Sequence, residues 1–256
     1  MEEFDDLIQH PDDKGCLDLA HRGWVTLDDA VWTMNYELFI LNISFNNITA
    51  VPPRIGDLNL LRELDCSSNK IETIPNELGE CRRLRRLKCN GNRIKVLPET
   101  LENCPLLEEI TASENEIEEV PGSLGRIPAL KILRLQNNRL RTLPPELGDL
   151  LTLEEINVSG NPELRTIPKE LQDNTQLIVW ICALHKDHRD RMRQLEQANY
   201  ELENQARFMT ESKMILLDNI GKLKSKNEEL QEQMPDTYLH YKAKALEAKS
   251  RMCAIS

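Results

Sequence analysis

The sequence predicts an α/β fold: a right-handed solenoid whose parallel strands line a concave sheet, followed by a long α-helix of coiled-coil type. Two periodicities and a contrast in charge predict it. Asn46, Asn69, Asn92, Asn115, Asn138 and Asn161 recur at a constant interval of 23 residues inside one aliphatic frame. From about Leu184 the period shortens to seven, with Leu195, Leu202, Met209, Leu216, Leu223 and Leu230 in register. Residues 1–182 carry 19 Lys and Arg against 31 Asp and Glu, whereas residues 183–256 carry 13 against 12. The chain thus divides into an acidic arm over 1–14, a solenoid over 15–182, a long helix over 183–234 and a basic tail over 235–256.

Each asparagine closes the frame L-x-x-L-x-L-x-x-N, as in Leu61/Leu64/Cys66, Leu84/Leu87/Cys89 and Leu130/Leu133/Leu135. An aliphatic pair and a proline follow, as in Ile71/Ile74/Pro75 and Ile94/Leu97/Pro98. A short strand with its return segment cannot bury its apolar side alone, so neighbouring units share one core and pair their strands in parallel. The asparagine suits a side chain that satisfies backbone groups where the strand turns inward. A degenerate first unit, LDLAHRGWVTL, puts Arg22 near the asparagine slot, and a last strand is expected at Leu177/Trp180/Cys182. This frame resembles the leucine-rich repeat, and the I-P-x-x-L-G close is similar to the intracellular Ras-suppressor and plant Ras-group type. The resemblance implies a protein-binding scaffold with a concave interaction face. It also directs attention to small-GTPase or kinase signalling components as partners.

The cysteines fit the same frame. Cys66 and Cys89 share an inward strand slot, Cys182 is placed in the equivalent slot, and Cys81 and Cys104 replace the leucine that Leu58 and Leu150 supply elsewhere. These five are small core hydrophobes rather than disulfide or zinc ligands, since no C-x-x-C pair exists. The acidic N-terminus lacks an apolar run, and no stretch approaches the roughly 18 apolar residues of a spanning helix. A cytoplasmic protein is therefore expected, with membrane-associated or cytoskeletal and ciliary settings open.

In the second segment the complementary seam holds Met192, Asn199, Ala206, Lys213, Ile220, Asn227 and Met234, and Pro235 stops the helix. Leucine at one seam position with Asn199 and Asn227 at the other favours two strands. The flanking positions carry no strong charge code, so homodimer and heterodimer both remain open, as does a single helix packed on a large assembly.

The outward strand positions of the solenoid supply the candidate binding face: Glu63, Asp65, Arg86, Lys88, Glu109, Arg134 and Glu155, with Phe45 as an apolar anchor at one end. Adjacent strands lie about 4.8 Å apart, so Glu63, Arg86 and Glu109 can form a cross-strand ladder. Two readings follow: a face that neutralises itself, or a mixed-charge dock for a protein surface. A local cluster of Arg82, Arg83, Arg85 and Arg86 stands out within the acidic segment. A net charge of −11 argues against nucleic acid as a partner. The five histidines have no motif-placed nucleophile beside them, His185 and His188 lack a third ligand, and no Gly-rich phosphate loop is present. No enzyme activity, cofactor or metal is expected.

The sequence closes on Cys253-Ala254-Ile255-Ser256, which matches the C-a-a-X prenylation pattern with a serine that directs a farnesyl group. Lys242, Lys244, Lys249 and Arg251 precede it and can supply the electrostatic signal that one lipid chain needs. Cys253 is thus a candidate lipidation site and a membrane surface a candidate partner.

Overall fold

The computed structural model describes residues 10–232 and 240–247. Pro235, Met234 and Cys253 lie outside the described residues, as does most of the acidic arm. Seven three-residue strands form one sheet: β1 (Cys16–Asp18), β2 (Ile40–Asn42), β3 (Glu63–Asp65), β4 (Arg86–Lys88), β5 (Glu109–Thr111), β6 (Ile132–Arg134) and β7 (Glu155–Asn157). Their order in the sheet is their order in the chain, and every pairing is parallel. Leu41, Leu64, Leu87, Ile110, Leu133 and Ile156 stand side by side in that register and are fully buried. They belong to one continuous core running through the repeats. The predicted parallel solenoid is present.

The return segments are short 3-10 turns, as in Asn76–Glu80 and Glu99–Asn103, and those after β2 are each entered through a proline such as Pro75 or Pro98. The ring holds φ near −70° at these entries, and no ladder bond needs the missing donor. One residue type is required where consecutive turns stack: a Cβ on Gly125 would lie 2.2 Å from the Glu146 carbonyl oxygen. Cys81 and Cys104 sit fully buried at the ends of such turns, and the Cys81 thiol donates to the Ile55 carbonyl at 3.2 Å.

The asparagine ladder does what its spacing suggested. Asn115 is representative: its amide nitrogen donates to the carbonyls of Cys89, Ala112 and Ser113, and its oxygen accepts from the Ile94 N–H. Each side chain therefore ties its own repeat to the one before it.

The solenoid ends differently from the expectation. Leu177–Cys182 is not a strand but the opening of α1 (Thr175–Glu232). The helix therefore begins at Thr175 rather than at 183, and the compact units divide after Asp190. Asn174 starts it by accepting from the Leu177 N–H at 3.0 Å. The buried residues are Ile178 and Cys182, four apart on one helical face, while Trp180 is exposed. Leu177, Trp180 and Cys182 fit the strand frame of the repeats, and the helix period fits the apolar residues of this stretch as well. Covering the sheet edge explains the choice: the Thr175 hydroxyl accepts from the Ile156 N–H and the Gln172 carbonyl from the Val158 N–H. Ion pairs of Lys186 with Asp149 and Arg189 with Glu146 fasten this cap.

From Arg191 to Glu232 every residue of α1 is exposed, the seam included. No helix among the described residues is long and apolar enough to cross a membrane.

Candidate functional site: the outward strand face

Strand alternation places the second residue of each β2–β7 triplet in the core and leaves the first and third on the open side of the sheet. On this side the charges are not equivalent. Glu63 accepts from Arg86 through both Nε (2.8 Å) and Nη2 (2.5 Å) and from Lys88 Nζ at 2.7 Å. Its side chain is only 12% exposed. Burial pushes its carboxyl up, but the Arg86 and Lys88 hydrogen bonds outweigh that and hold it below the ordinary glutamate range. Three strands further on, Arg134 grips Glu155 through two hydrogen bonds of 2.7 and 2.8 Å. That grip, ahead of the opposing effect of desolvation, lowers the Glu155 carboxyl too.

The expected ladder of Glu63, Arg86 and Glu109 therefore stops halfway. Arg86 lies opposite Glu109 in register yet turns to Glu63. Glu109 has no ion pair among the described residues. The reason is competition: Glu63 offers Arg86 a paired geometry already shared with Lys88, and a less exposed one. Asp65, the third residue of β3, is half-buried on the same side, and one of its carboxylate oxygens accepts from the Ser67 N–H in a local turn.

Between the two clamped pairs lies a shallow concavity of about 370 Å³ lined by Lys88, Asn90, Glu109, Thr111, Arg134 and Gln136, among others. Asn90 is fixed by donating to the Thr111 hydroxyl and accepting from the Ser113 N–H. Gln136 Oε1 is shielded from solvent and accepts no hydrogen bond. The result is a polar floor lined by two carboxylates, Glu109 and Glu114, that make no ion pair among the described residues, together with the cations Lys88 and Arg134.

Phe45 stands apart from this floor. It is half-exposed, has a φ of 54° and stacks on His21 with ring centroids 4.4 Å apart. Both rings occupy the same slot in adjacent repeats, just before the asparagine position. The full series is left-handed: His21, Phe45, Ser68, Gly91, Glu114, Asn137 and Gly160. Sequence reasoning missed this slot, although Gly91 and Gly160 within it were a signal. In the arginine cluster, Arg85 pairs with Glu108 and Arg86 with Glu63, while Arg82 and Arg83 are exposed.

Burial pushes the thiols of Cys81 and Cys89 up to about 12 and those of Cys104 and Cys182 to about 11, far from thiolate formation at neutral pH. His185 and His188 are exposed, and no three metal-ligating side chains converge among the described residues.

Comparison with known proteins bears on the repeats. The Leucine rich repeat family model matches residues 37–94, and a second Leucine Rich Repeat model matches residues 129–150. Residues 37–94 and 129–150 thus match leucine-rich repeats. A leucine-rich repeat protein of Leptospira interrogans is similar at 29% identity and a TM-score of 0.56, covering 57% of this chain. The plant peptide hormone receptor RGFR1, solved in complex with RGF2, is similar at 26% identity and a TM-score of 0.49, covering 53% of this chain. The chain spans 37% of the length of the first and 22% of the second. No curated protein matches it. Leucine-rich repeat proteins generally mediate protein–protein interaction.

The seam residues Leu195, Asn199, Leu202, Met209, Leu216, Ile220, Leu223, Asn227 and Leu230 all lie on α1, exposed. Phe208, Met214 and Ile215 are exposed as well and lie off the seam.

Proposed function

We propose that this chain is a non-catalytic scaffold that docks a protein partner on the outward strand face and associates through α1. The observation that carries the docking reading is the concavity around Glu109. Its neighbours are held rigidly by the Glu63–Arg86–Lys88 and Arg134–Glu155 clamps, so a partner meets an ordered surface and loses little side-chain entropy there. A basic group on the partner would meet Glu109, and hydroxyl or amide groups would meet Asn90, Thr111 and Gln136. Phe45 and Asp65 flank this floor rather than form it. The similarity to Ras-suppressor-type repeats directs the search for partners to small-GTPase and kinase signalling proteins in the cytoplasm.

Capture from native lysate with the wild-type chain, a Glu109→Lys variant and a Thr111→Arg variant tests this reading. A protein retained by the wild type and lost by both variants, with thermal melting unchanged, is the expected result. Retention by both variants places the binding surface elsewhere.

A second reading, a structural subunit of a larger cytoskeletal or ciliary assembly, draws on Phe208, Met214 and Ile215, which a two-stranded coil would leave bare. Prenylation of Cys253 completes the proposal and supplies a membrane surface. The intact mass of protein from its native source decides it, and an unmodified Ser256 terminus removes it.

A further inference from the structure

We infer that the flank where the chain enters the strands, centred on Arg62, Arg82 and Arg83, is a second docking surface. Its occupant is an acidic segment of a protein partner, with apolar side chains beside the carboxylates. This flank is distinct from the outward strand face and stands whether or not that face binds.

The 23-residue period decides what lies side by side here. The Arg62 N–H donates to the Phe39 carbonyl, the Arg85 N–H to the Arg62 carbonyl and the Glu108 N–H to the Arg85 carbonyl, at 2.7, 2.7 and 2.8 Å. Successive repeats are thus held in register as they enter the sheet, about 4.8 Å apart. Two slots just ahead of this row read Asn59, Arg82, Pro105 and Leu60, Arg83, Leu106. Arg83 therefore stands between Leu60, half-buried, and Leu106, 40% exposed.

Elsewhere in the repeats, arginines take up the carboxylate of a neighbouring unit: Arg126 pairs with Glu102 and Arg139 with Glu116. Arg82 and Arg83 break that habit. Both are exposed, and neither makes an ion pair or a side-chain hydrogen bond among the described residues. Arg62 is exposed too, with its guanidinium 4.7 Å from the centre of the Phe39 ring. A guanidinium stacked on a ring keeps its in-plane N–H donors for another partner. The nearest acids are committed or turned away. Glu108 is shared by Arg85 and Lys131, and Glu80 Oε2 lies only 3.0 Å from where a Cβ on Gly56 would stand, against the preceding turn.

Three guanidinium groups on adjacent repeats thus stay uncompensated in a chain of net charge −11. Their forked donors match carboxylates, and Leu60 and Leu106 offer apolar contact beside them. A narrow peptide can use both. Nucleic acid gains nothing from the leucines and is repelled by the remaining charge. A flat anionic bilayer would press on the adjoining turn, which carries Glu77 and Glu80.

Fluorescence anisotropy on the full chain tests this with a labelled peptide of alternating glutamate and leucine, about ten residues and so about 33 Å when extended. The peptide should bind at about 20 mM salt and lose most of its affinity at about 300 mM. A version with glutamine in place of glutamate should not bind. Arg82→Glu with Arg83→Glu should weaken binding on the order of a hundredfold while thermal melting stays unchanged. Arg82→Gln with Arg83→Gln, a milder pair that guards against misfolding, should weaken it on the order of tenfold. Thr111→Arg, which obstructs the concave floor, should leave the peptide bound. Loss of binding in Thr111→Arg with full binding in the arginine variants would move the acidic ligand to the outward face and overturn the inference. No binding at about millimolar peptide overturns it as well. So does co-sedimentation with vesicles of phosphatidylcholine and phosphatidylserine that needs Arg82 and Arg83 while the peptide fails to bind, since the flank would then serve a membrane.

Discussion

The repeats and the exposed part of α1 are both built on a regular apolar period, yet they dispose of it in opposite ways. In the repeats, each aliphatic frame finds its neighbour 23 residues along the same chain, and Leu64, Leu87, Ile110 and Leu133 are fully buried. In α1 beyond Asp190, the heptad leucines are exposed. The difference lies in what the period stacks. A 23-residue unit folds back on itself and delivers its successor directly onto its own apolar side. A heptad advances along a rod and never returns, so its complement has to come from another helix. The same amount of leucine therefore gives folding stability in one region and association in the other.

A core substitution tests that contrast most strongly. Leu133→Ala removes a fully buried side chain from the middle of the sheet and should cost about 2–5 kcal/mol in urea unfolding. Leu216→Ala removes the same atoms from an exposed site. It should change unfolding of the repeats by less than about 0.5 kcal/mol while lowering the dimer fraction in sedimentation. Equal losses of stability at the two positions would mean that the helix seam is buried within the folded monomer and would erase the contrast.

Next in size comes the asparagine ladder. Asn115→Ala leaves the Ile94 N–H and the Cys89 carbonyl without their cross-repeat partner in a buried setting, a loss of about 2–3 kcal/mol. Hydrogen exchange should rise first at Ile94, the amide that Asn115 holds. Gly125→Ala should cost about 1–3 kcal/mol, since its methyl group collides with the Glu146 carbonyl and the stacked turns have to part. The corresponding change at Gly221 in the helix, where a Cβ meets nothing, should instead add stability of roughly 0.5–1 kcal/mol.

The repeat body was legible because its signals are local and repeated: six asparagines in one register cannot sit in one frame without stacking. The end of the solenoid was not, because Leu177, Trp180 and Cys182 satisfy a strand pattern on their own and only the capping by Asn174 and Thr175 decides for a helix. The face was half legible. Strand alternation identified which residues point outward, but not that Arg86 would turn to Glu63 and leave Glu109 without an ion pair among the described residues, since that choice depends on burial and on Lys88 from the same strand. The left-handed slot of His21, Phe45, Ser68, Glu114 and Asn137 was hidden because five non-glycine residues occupy it, held there by cross-repeat bonds such as Phe45 N–H to the Ser67 carbonyl.

The smallest expected effect compares ion pairs in the two regions. Glu63 is held below the ordinary glutamate range when folded, so its contribution is present at neutral pH and is lost as pH falls through that depressed value. Glu63→Gln should therefore cost about 1 kcal/mol at pH 7, a modest figure because Arg86 and Lys88 keep partial access to water. The gap between wild type and variant should close on acidification, as wild-type Glu63 takes up its proton. Asp218→Asn, which breaks the exposed Asp218–Lys222 pair one turn apart on α1, should show no measurable change at either pH. A Glu63→Gln penalty that persists unchanged into acid would show that the side chain acts through shape and neutral hydrogen bonding. The clamp beside Glu109 would then hold its geometry without the charge.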